Sequence, residues 1–487
     1  MKKTAYILLG LVMAFIAAGS LTACIEDGIT TSPSDQPTFS VDTLKMGTVF
    51  TDEVTTTFRF TVHNPHKKGI MISDIRTSGP NANLFRLNVD GFSGDNFQNI
   101  EIRENDSIYV FVEATIPAND RDLPVNIEAY IDFVTNGVTQ KVVVSADGQD
   151  VTRLRAVTIT ENTVFKPVKP YQIFDSLVVA PGVTLTLPAG TDLRFHDGAM
   201  MIVRGTLIAN GTREAPVSLA GDRTGNVITD ITFDLMSRQW NGLQFTPSSQ
   251  ANRLTHTSVR NTWFGVIVSG DGTAAADGAP KLWMQNCQLR NSGDMVLEAY
   301  DADIAAYGCE FAEAANGCVR LQGGSHIINH CTFANYYLFS AIGGAALQFA
   351  HYNAESAVEG STTPFTRAEV TNSVLYGLGT DIYPGNLDGT EIYLRYCLLK
   401  SNGTDDANFL NCIWGQDPLY YTVREDYIFD YRLRPASPAI AAGNPALTLA
   451  DARIDPYGVD RLPGVPGELN PTPAPTLGAY AYTLPQE

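Results

Sequence analysis

The 487-residue sequence has few positive charges. Lys and Arg number 33 against 52 Asp and Glu, which gives a formal net charge of −19. A nucleic-acid-binding surface needs a basic patch that offsets the phosphates, so we expect no nucleic-acid partner. A polyanionic glycan would also be repelled unless a local basic cleft or bound cations intervened.

Motifs for metals and cofactors are missing too. The seven cysteines form no CxxC pair, and no paired histidines complete a tetrahedral zinc site. We therefore predict no metal site and no cofactor. Single histidines such as those at 256, 326 and 330 are interpreted as hydrogen-bonded structural residues.

The first 23 residues predict an export signal. Lys2 and Lys3 precede an apolar stretch from Ala5 to Ala18, which is too short for a comfortable membrane span. The following LTAC ends in Cys24 and resembles the bacterial lipobox, whose cysteine is lipidated before cleavage. We predict a lipoprotein signal peptide over 1–23 and lipidation of Cys24. The alternative is an ordinary secretory signal with an incidental cysteine.

The next segment, 24–37, is polar and rich in Ser, Thr and Pro, which predicts a flexible tether. No later run is long and apolar enough to span a membrane, so the lipid would be the anchor. Glu26 and Asp27 resemble the acidic export signal of surface lipoproteins in Bacteroidetes. We expect an outer-membrane location facing the cell exterior, with a periplasm-facing body as the alternative.

Residues 38–150 predict a small β-sandwich. Apolar and polar residues alternate in runs such as FRFTV from Phe58 and SIYVFV from Ser107, so one face of each strand is buried. Asn136-Gly137 is a strong hairpin signal. The segments TFRFTVHNP and VVVSADGQD resemble immunoglobulin-like modules of the ASH/MSP type, which implies a spacer or partner-docking domain.

From about residue 151 the strands become very short and a repeat appears. The fragments HTSVRN, NCQLRN, GCEFAE, HCTFAN, NSVLYG and YCLLKS begin at 256, 286, 308, 330, 372 and 396, with two central steps of 22 residues. Such a period predicts a parallel β-helix, in which each coil advances about 4.8 Å and equal positions stack. Longer steps mark insertions at 270–280 and 336–366.

The repeat also accounts for the cysteines. The second positions of the fragments would stack in one ladder. Disulfides between neighbouring coils and a ladder of reduced, buried thiols are both compatible with that stacking. The ladder residues are Thr257, Cys287, Cys309, Cys331, Ser373 and Cys397.

Several longer segments resemble the right-handed parallel β-helix lipoproteins of gut-type Bacteroidetes. They include PAGTDLRFHDGAMMIVRGTL, QWNGLQF, HCTFANYY, DPYGVDR and LGAYAY, and the resemblance covers roughly 151–482. We therefore predict an all-β chain: an N-terminal immunoglobulin-like sandwich, a right-handed parallel β-helix over 151–462, and a Pro-rich tail with a final capping strand over 463–487. Because this pectate-lyase-like fold hosts lyases, hydrolases, adhesins and scaffolds, it implies no single activity.

No catalytic residue is predicted. The calcium ligands of pectate-lyase-type enzymes are missing, as is the combined set of NTD, DD, GHG and RIK blocks of polygalacturonase-type enzymes. The acidic residues Asp294, Asp301, Asp303 and Asp405-Asp406 are interpreted as solvated turns. A polysaccharide lyase or glycoside hydrolase remains the enzymatic alternative.

The predicted function is non-catalytic binding of a glycan or surface partner through the β-helix face, and a structural or adhesive scaffold is the second alternative. Aromatic rings make platforms for sugar rings, although each could instead pack beneath a loop. The candidate glycan-binding residues are Trp240, Trp263, Trp283, Tyr336 and Tyr337.

Overall fold

The computed structural model describes residues 28–228, 231–272, 278–352, 355–356, 365–462 and 474–483. The predicted signal peptide, Cys24 and the acidic pair Glu26 and Asp27 lie outside these residues. The chain is all-β and divides into two compact units, one ending at Asp150 and one beginning at Val151. In the described ranges, no helix has the length and apolar character needed to cross a membrane.

The first unit consists of two five-stranded sheets that enclose one hydrophobic core. The alternation predicted this: Phe60 and Val62 in one sheet and Ile131 and Phe133 in the other are buried. The predicted hairpin is confirmed, since Asn136 and the following glycine both have positive φ between paired strands. One sheet contains Thr38–Phe39, Phe58–His63, Ser107–Ala114, Phe85–Val89 and Phe92–Gly94; the other contains Thr43–Phe50, Val138–Gln149, Val125–Thr135, Ile70–Ser78 and Asn96–Ile102.

Membership of the immunoglobulin-like family stays a prediction. Within the second sheet, Thr43–Phe50 runs parallel to Val138–Gln149, whereas the other neighbouring strands are antiparallel.

The tether is shorter than predicted, because residues 28–37 lie against the first unit. The Asn136 side-chain amide donates to the carbonyls of Ser32 and Asp35 at 2.9 and 3.0 Å. Thr30 is buried, and its backbone N–H donates to the carbonyl of Gly69 at 2.8 Å. The prediction of a free tether up to residue 37 is therefore wrong for these residues, since their polar groups bond to the protein instead of water.

The second unit is a stack of coils whose strands form three parallel sheets, as the repeat predicted. Each regular coil contributes one strand to sheet C, then one to sheet B, then one to sheet A. The right hand of the coil stays a prediction. Sheet A contains Met200–Val203, Gly242–Phe245, Val266–Ser269, Leu297–Tyr300, Val319–Gln322, Ala345–Ala350 and Thr380–Tyr383. Sheet B contains Asp192–Phe195, Val217–Gly221, Thr257–Arg260, Gln288–Ser292, Glu310–Ala314, Thr332–Asn335, Val374–Gly377, Leu398–Leu399 and Ile413–Trp414. Sheet C contains Thr163–Val164, Thr184–Pro188, Thr206–Asn210, Asn252–Thr255, Leu282–Gln285, Ile304–Tyr307, Gly324–Asn329, Phe365–Thr371, Ile392–Arg395 and Phe409–Leu410.

A few elements lie outside this regular pattern. The first strand of the unit, Thr152–Ile159, pairs with Tyr171–Val179, which in turn pairs with strands of both sheet A and sheet B. Asn226–Ile228 and Ile231–Thr232 form an antiparallel pair in an insertion between sheets B and A. The short 3-10 helices are Ala82–Leu84, Phe233–Leu235, Arg424–Asp426, Pro445–Leu447 and Ala450–Ala452.

The corner between sheets C and B confirms the repeat. The first residue of every fragment has a positive φ, which Asn and Gly tolerate and which turns the chain between the two sheets. These residues are His256, Asn286, Gly308, His330, Asn372 and Tyr396.

The residues that follow these turns form the predicted ladder, and its cysteines are free thiols. Cys287 and Cys309 are buried, and each sulfur lies 3.4 Å from the carbonyl oxygen two residues earlier. Burial raises the pKa of the Cys287 thiol well above its usual range. The interpretation as a ladder of reduced core thiols is confirmed.

The coils end earlier than predicted. The last strand of the stack is Ile413–Trp414, and residues 417–462 and 474–483 form an irregular C-terminal cover on the outside of the coils. Its tyrosines pack on sheet B, whereas residues 447–452 lie on sheet C and on its corner with sheet B, where Ala452 contacts Trp283. Residues 474–483 contain no strand and lie on the side of the coils, so the predicted capping strand is not found there, and 463–473 of the predicted Pro-rich tail lies outside the described residues. The Ala479 N–H donates to Thr332 Oγ1 at 2.9 Å. The apolar contacts between the cover and sheet B include Tyr420, Tyr431, Leu477 and Tyr480 on one side and Ala312, Ala334, Val374 and Leu398 on the other.

Candidate functional site

The outer face of sheet A carries a column of residues in register. The inward positions of its strands are apolar, so the alternation points every second side chain outward. Along the outer column the side chains change from apolar to charged, then to amide and aromatic. In chain order the column is Ile267, Glu298, Arg320, Gln348 and Tyr383.

A groove opens where this column ends. It consists of two adjoining depressions with volumes of ≈ 650 and ≈ 830 Å³ that share Gly379, Thr380, Tyr383 and Lys400. The smaller one is bounded by the inserted loop 336–344 near Gly343, and the larger one extends to Trp414. We call this feature the sheet A groove.

Tyr383 is the most exposed aromatic residue of the groove. Its side chain is 60% exposed although it ends a regular strand of sheet A. Trp414 is half-buried at the other end, where its ring packs on Phe409 with centroids 5.1 Å apart. The Trp414 ring nitrogen donates to Asp405 Oδ1 at 3.1 Å. The Trp414 ring is therefore held by the fold before any ligand arrives.

Polar contacts fix the walls of the groove. Lys400 Nζ donates to the carbonyls of Leu378 and Gly379 at 2.9 and 2.8 Å. The buried carboxylate of Asp381 accepts the Ser401 backbone N–H at 2.8 Å and the Ser401 hydroxyl at 2.6 Å. These contacts join two neighbouring coils across the floor of the groove.

Two acidic residues lie on an earlier coil, Glu298 in the outer column of sheet A and Asp294 at the corner between sheets B and A. Glu298 accepts the Tyr300 hydroxyl at 2.6 Å and the Arg320 guanidinium at 2.8 Å. Burial, helped by nearby Asp294, raises the pKa of Glu298, while the bonds from Tyr300 and Arg320 oppose the shift. Asp294 accepts the Asn316 amide at 2.8 Å. A raised pKa favours the protonated form that a proton donor needs, whereas the two bonds that Glu298 accepts favour its ionised form.

Two of the aromatic candidates predicted from the sequence are inside the protein. Trp240 is 1% exposed, stacks on Phe195 at 4.0 Å and donates its ring N–H to the Arg260 carbonyl at 2.8 Å. Tyr337 is 3% exposed, and its hydroxyl lies 2.7 Å from Ser237 Oγ. Their prediction as glycan platforms is wrong, because neither ring offers a face to solvent.

The other three candidates lie apart from the groove. Trp283 belongs to sheet C, and the Arg253 guanidinium covers its ring at 3.5 Å from the centroid. Tyr336 packs beneath the C-terminal cover against Tyr431, with ring centroids 6.0 Å apart. Trp263 is 43% exposed at the corner between sheets B and A, so its role in binding stays a prediction.

Tyr383, Lys400 and Trp414 are not among the residues predicted from the sequence. A signal for Tyr383 was available, because GCVR, AALQ and TDIY can be laid over one another so that Arg320, Gln348 and Tyr383 fall at the same position. The acidic residues interpreted as turns bond to the backbone: Asp405 Oδ2 accepts the Asn411 N–H at 2.6 Å, and Asp303 Oδ1 accepts the N–H of Ser325, on the next coil, at 2.7 Å. Among the residues that the structure describes, no three His, Cys, Asp or Glu side chains are placed to hold a metal ion.

A second charged cluster, on sheet B, is sealed. Arg290 pairs with Glu310, and the hydroxyls of Tyr480 and Tyr431 donate to Glu310 and Glu313 from the C-terminal cover. Both carboxylates are buried, so the cluster holds the cover in place and is closed to a ligand.

Comparisons with known proteins do not identify a family. No protein-family model and no curated protein matches the chain. A family 123 glycoside hydrolase from Clostridium perfringens is 8% identical, with a TM-score of 0.18 over 23% of this chain and 25% of that one. The catalytic unit of a thermostable family 87 α-1,3-glucanase from Streptomyces thermodiastaticus strain HF3-3 is 9% identical, with a TM-score of 0.20 over 71% and 80%. The chain thus spans about a quarter of the first of these, and both likenesses are too weak to bear on the groove.

Proposed function

We propose that this protein binds a glycan in the sheet A groove, as a lipoprotein anchored through Cys24 on the outer membrane. The observation that carries the proposal is Tyr383, whose ring is 60% exposed on a regular strand at the centre of the groove. A tyrosine presents an apolar face and a polar tip, and ordering it costs little because it has few rotatable bonds.

The residues around Tyr383 supply polar groups that can form hydrogen bonds with sugar hydroxyls. Amide and hydroxyl groups of Asn386, Asn402 and Thr404 line the same groove and are exposed. A site with an aromatic platform and a few fixed polar groups is typical of small-molecule and carbohydrate recognition.

The first experiment compares the wild-type protein with Tyr383→Ala on a glycan array and by titration calorimetry. We expect the substitution to weaken glycan binding about tenfold or more, because the platform is lost. Tyr109→Ala is the matched control, since Tyr109 is 49% exposed in the first unit. Equal loss in both variants, or no loss with Tyr383→Ala, would contradict the proposal. No retained glycan at all would favour the scaffold alternative.

Glycoside hydrolysis is the second candidate, and the raised pKa of Glu298 beside Asp294 favours it. In this case Glu298 would protonate the leaving oxygen and Asp294 would act as the second carboxylate. Reducing-sugar release from polysaccharides tests the idea. We expect Glu298→Gln to abolish any release while glycan binding persists. Unchanged release in Glu298→Gln would remove Glu298 from the reaction.

A further inference from the structure

The charges around the sheet A groove are nearly all engaged by the protein itself. Lys400 directs two of its three N–H donors to the carbonyls of Leu378 and Gly379. Asp381 accepts from Ser401, and Asp406 Oδ1 accepts two backbone N–H groups at 2.8 and 2.9 Å. One cation and two carboxylates give a local formal charge of −1, within a chain of −19.

The neighbouring column contributes no spare cation either. Arg320 is held by Glu298 at 2.8 Å, which itself accepts a second bond from Tyr300. A uronate or sulfated sugar is recognised through an unpaired Arg or Lys, ideally in a bidentate contact. Among its described lining residues, the groove therefore offers an anionic sugar no unpaired Arg or Lys. Its net negative charge also repels such a sugar.

The direction of the groove follows from its lining. Three successive coils contribute to it: residues 342–348, 378–383 and 400–404. Gln348 and Tyr383 are direct neighbours in register, and Ser401 bonds to Asp381 on the coil before it. Neighbouring coils are about 4.8 Å apart, which is close to the length of one pyranose residue in an extended chain. Loop 336–344, which connects sheet B to sheet A, contributes Ile342 and Gly343 to the first of these coils.

We infer that the groove takes an uncharged, extended oligosaccharide that runs parallel to the stack, with one sugar residue on each of three coils. The central sugar lies on Tyr383, with Gln348 and Asn402 beside the two outer sugars. Because Gln348 Nε2 donates to the Asn316 carbonyl at 2.9 Å, Gln348 would meet the sugar through its side-chain oxygen. This inference rests on the proposed function and specifies its ligand.

The test titrates the full-length protein, solubilised in detergent, with neutral gluco-, manno- and xylo-oligosaccharides of two to six residues and with oligogalacturonates of the same lengths. For at least one neutral series, affinity rises up to three residues and then levels off. The matching oligogalacturonates bind at least about tenfold more weakly at low salt, because the groove is negative.

Two substitutions at opposite ends test the orientation. Gln348→Ala and Asn402→Ala each weaken the trisaccharide, and neither weakens a disaccharide as strongly. Uronates that bind as tightly as neutral sugars, or affinity that is already constant at two residues, would overturn the inference while leaving glycan binding intact. If no sugar of either kind binds, and Tyr383→Ala changes nothing, the proposed function itself fails.

Discussion

At the scale of single residues, burial determines which side chains can act and which only support the fold. His326 illustrates this, since it points into the core of the stack instead of serving a site. Its Nε2 donates to the Gly323 carbonyl at 2.7 Å, and its ring meets Phe365 edge-on at 5.3 Å. Burial lowers the pKa of His326 to about 4, so the folded protein keeps this ring neutral.

This burial predicts an acid-sensitive fold. As pH falls from 6.5 towards 4, His326 gains a proton in the unfolded chain before it does in the folded one, so the free energy of unfolding decreases. The contribution reaches about 3 kcal/mol near pH 4. Urea denaturation at pH 7.5, 5.5 and 4.5 measures it. His326→Leu should flatten the pH dependence, and an identical slope in wild type and variant would contradict the account.

At the scale of elements, the C-terminal cover depends on one buried cation. Arg461 is fully buried and donates to the backbone carbonyls of Ala452, Gly478 and Ala479, which joins two distant parts of the cover. Because the guanidinium bonds to carbonyls of buried residues, it supports the cover far more than a surface ion pair would.

Arg461→Ala is therefore expected to destabilise the protein by about 3–5 kcal/mol and to speed proteolysis of the cover. Arg432→Ala is the control, because Arg432 pairs with Asp430 while its side chain is 55% exposed. The control should cost less than about 1 kcal/mol. Equal effects of the two substitutions in thermal unfolding and limited proteolysis would show that the cover does not depend on Arg461.

The sequence predicted the coils better than the cover for a physical reason. Turns between sheets C and B recur with similar residues, such as Asn286, Gly308 and Asn372, so the repeat can be recognised from the sequence alone. The cover has no such period, because Tyr420 and Tyr431 are placed by contacts with coils about a hundred residues earlier. The strands that contain Gln348 and Tyr383 are separated by a step of irregular length, so their pairing could not be predicted from the sequence.

At the scale of the whole molecule, the sequence predicted an all-β chain with two units, and the described residues contain both. Near Val151 the long alternating strands give way to short ones, because the two units bury their sheets differently. In the first unit two sheets pack face to face, and in the second the coils wind around a common core. Composition alone could not locate the groove. Trp240 and Tyr383 are both aromatic, and only the fold determines that the first is buried and the second exposed.

The most direct test of the central claim is a crystal structure of the protein soaked with a neutral oligosaccharide of three or four residues. We predict difference density along the sheet A groove, with one sugar ring stacked on Tyr383 and the chain parallel to the stack. Density confined to another surface, such as Trp263 or Trp283, with an empty groove would contradict it.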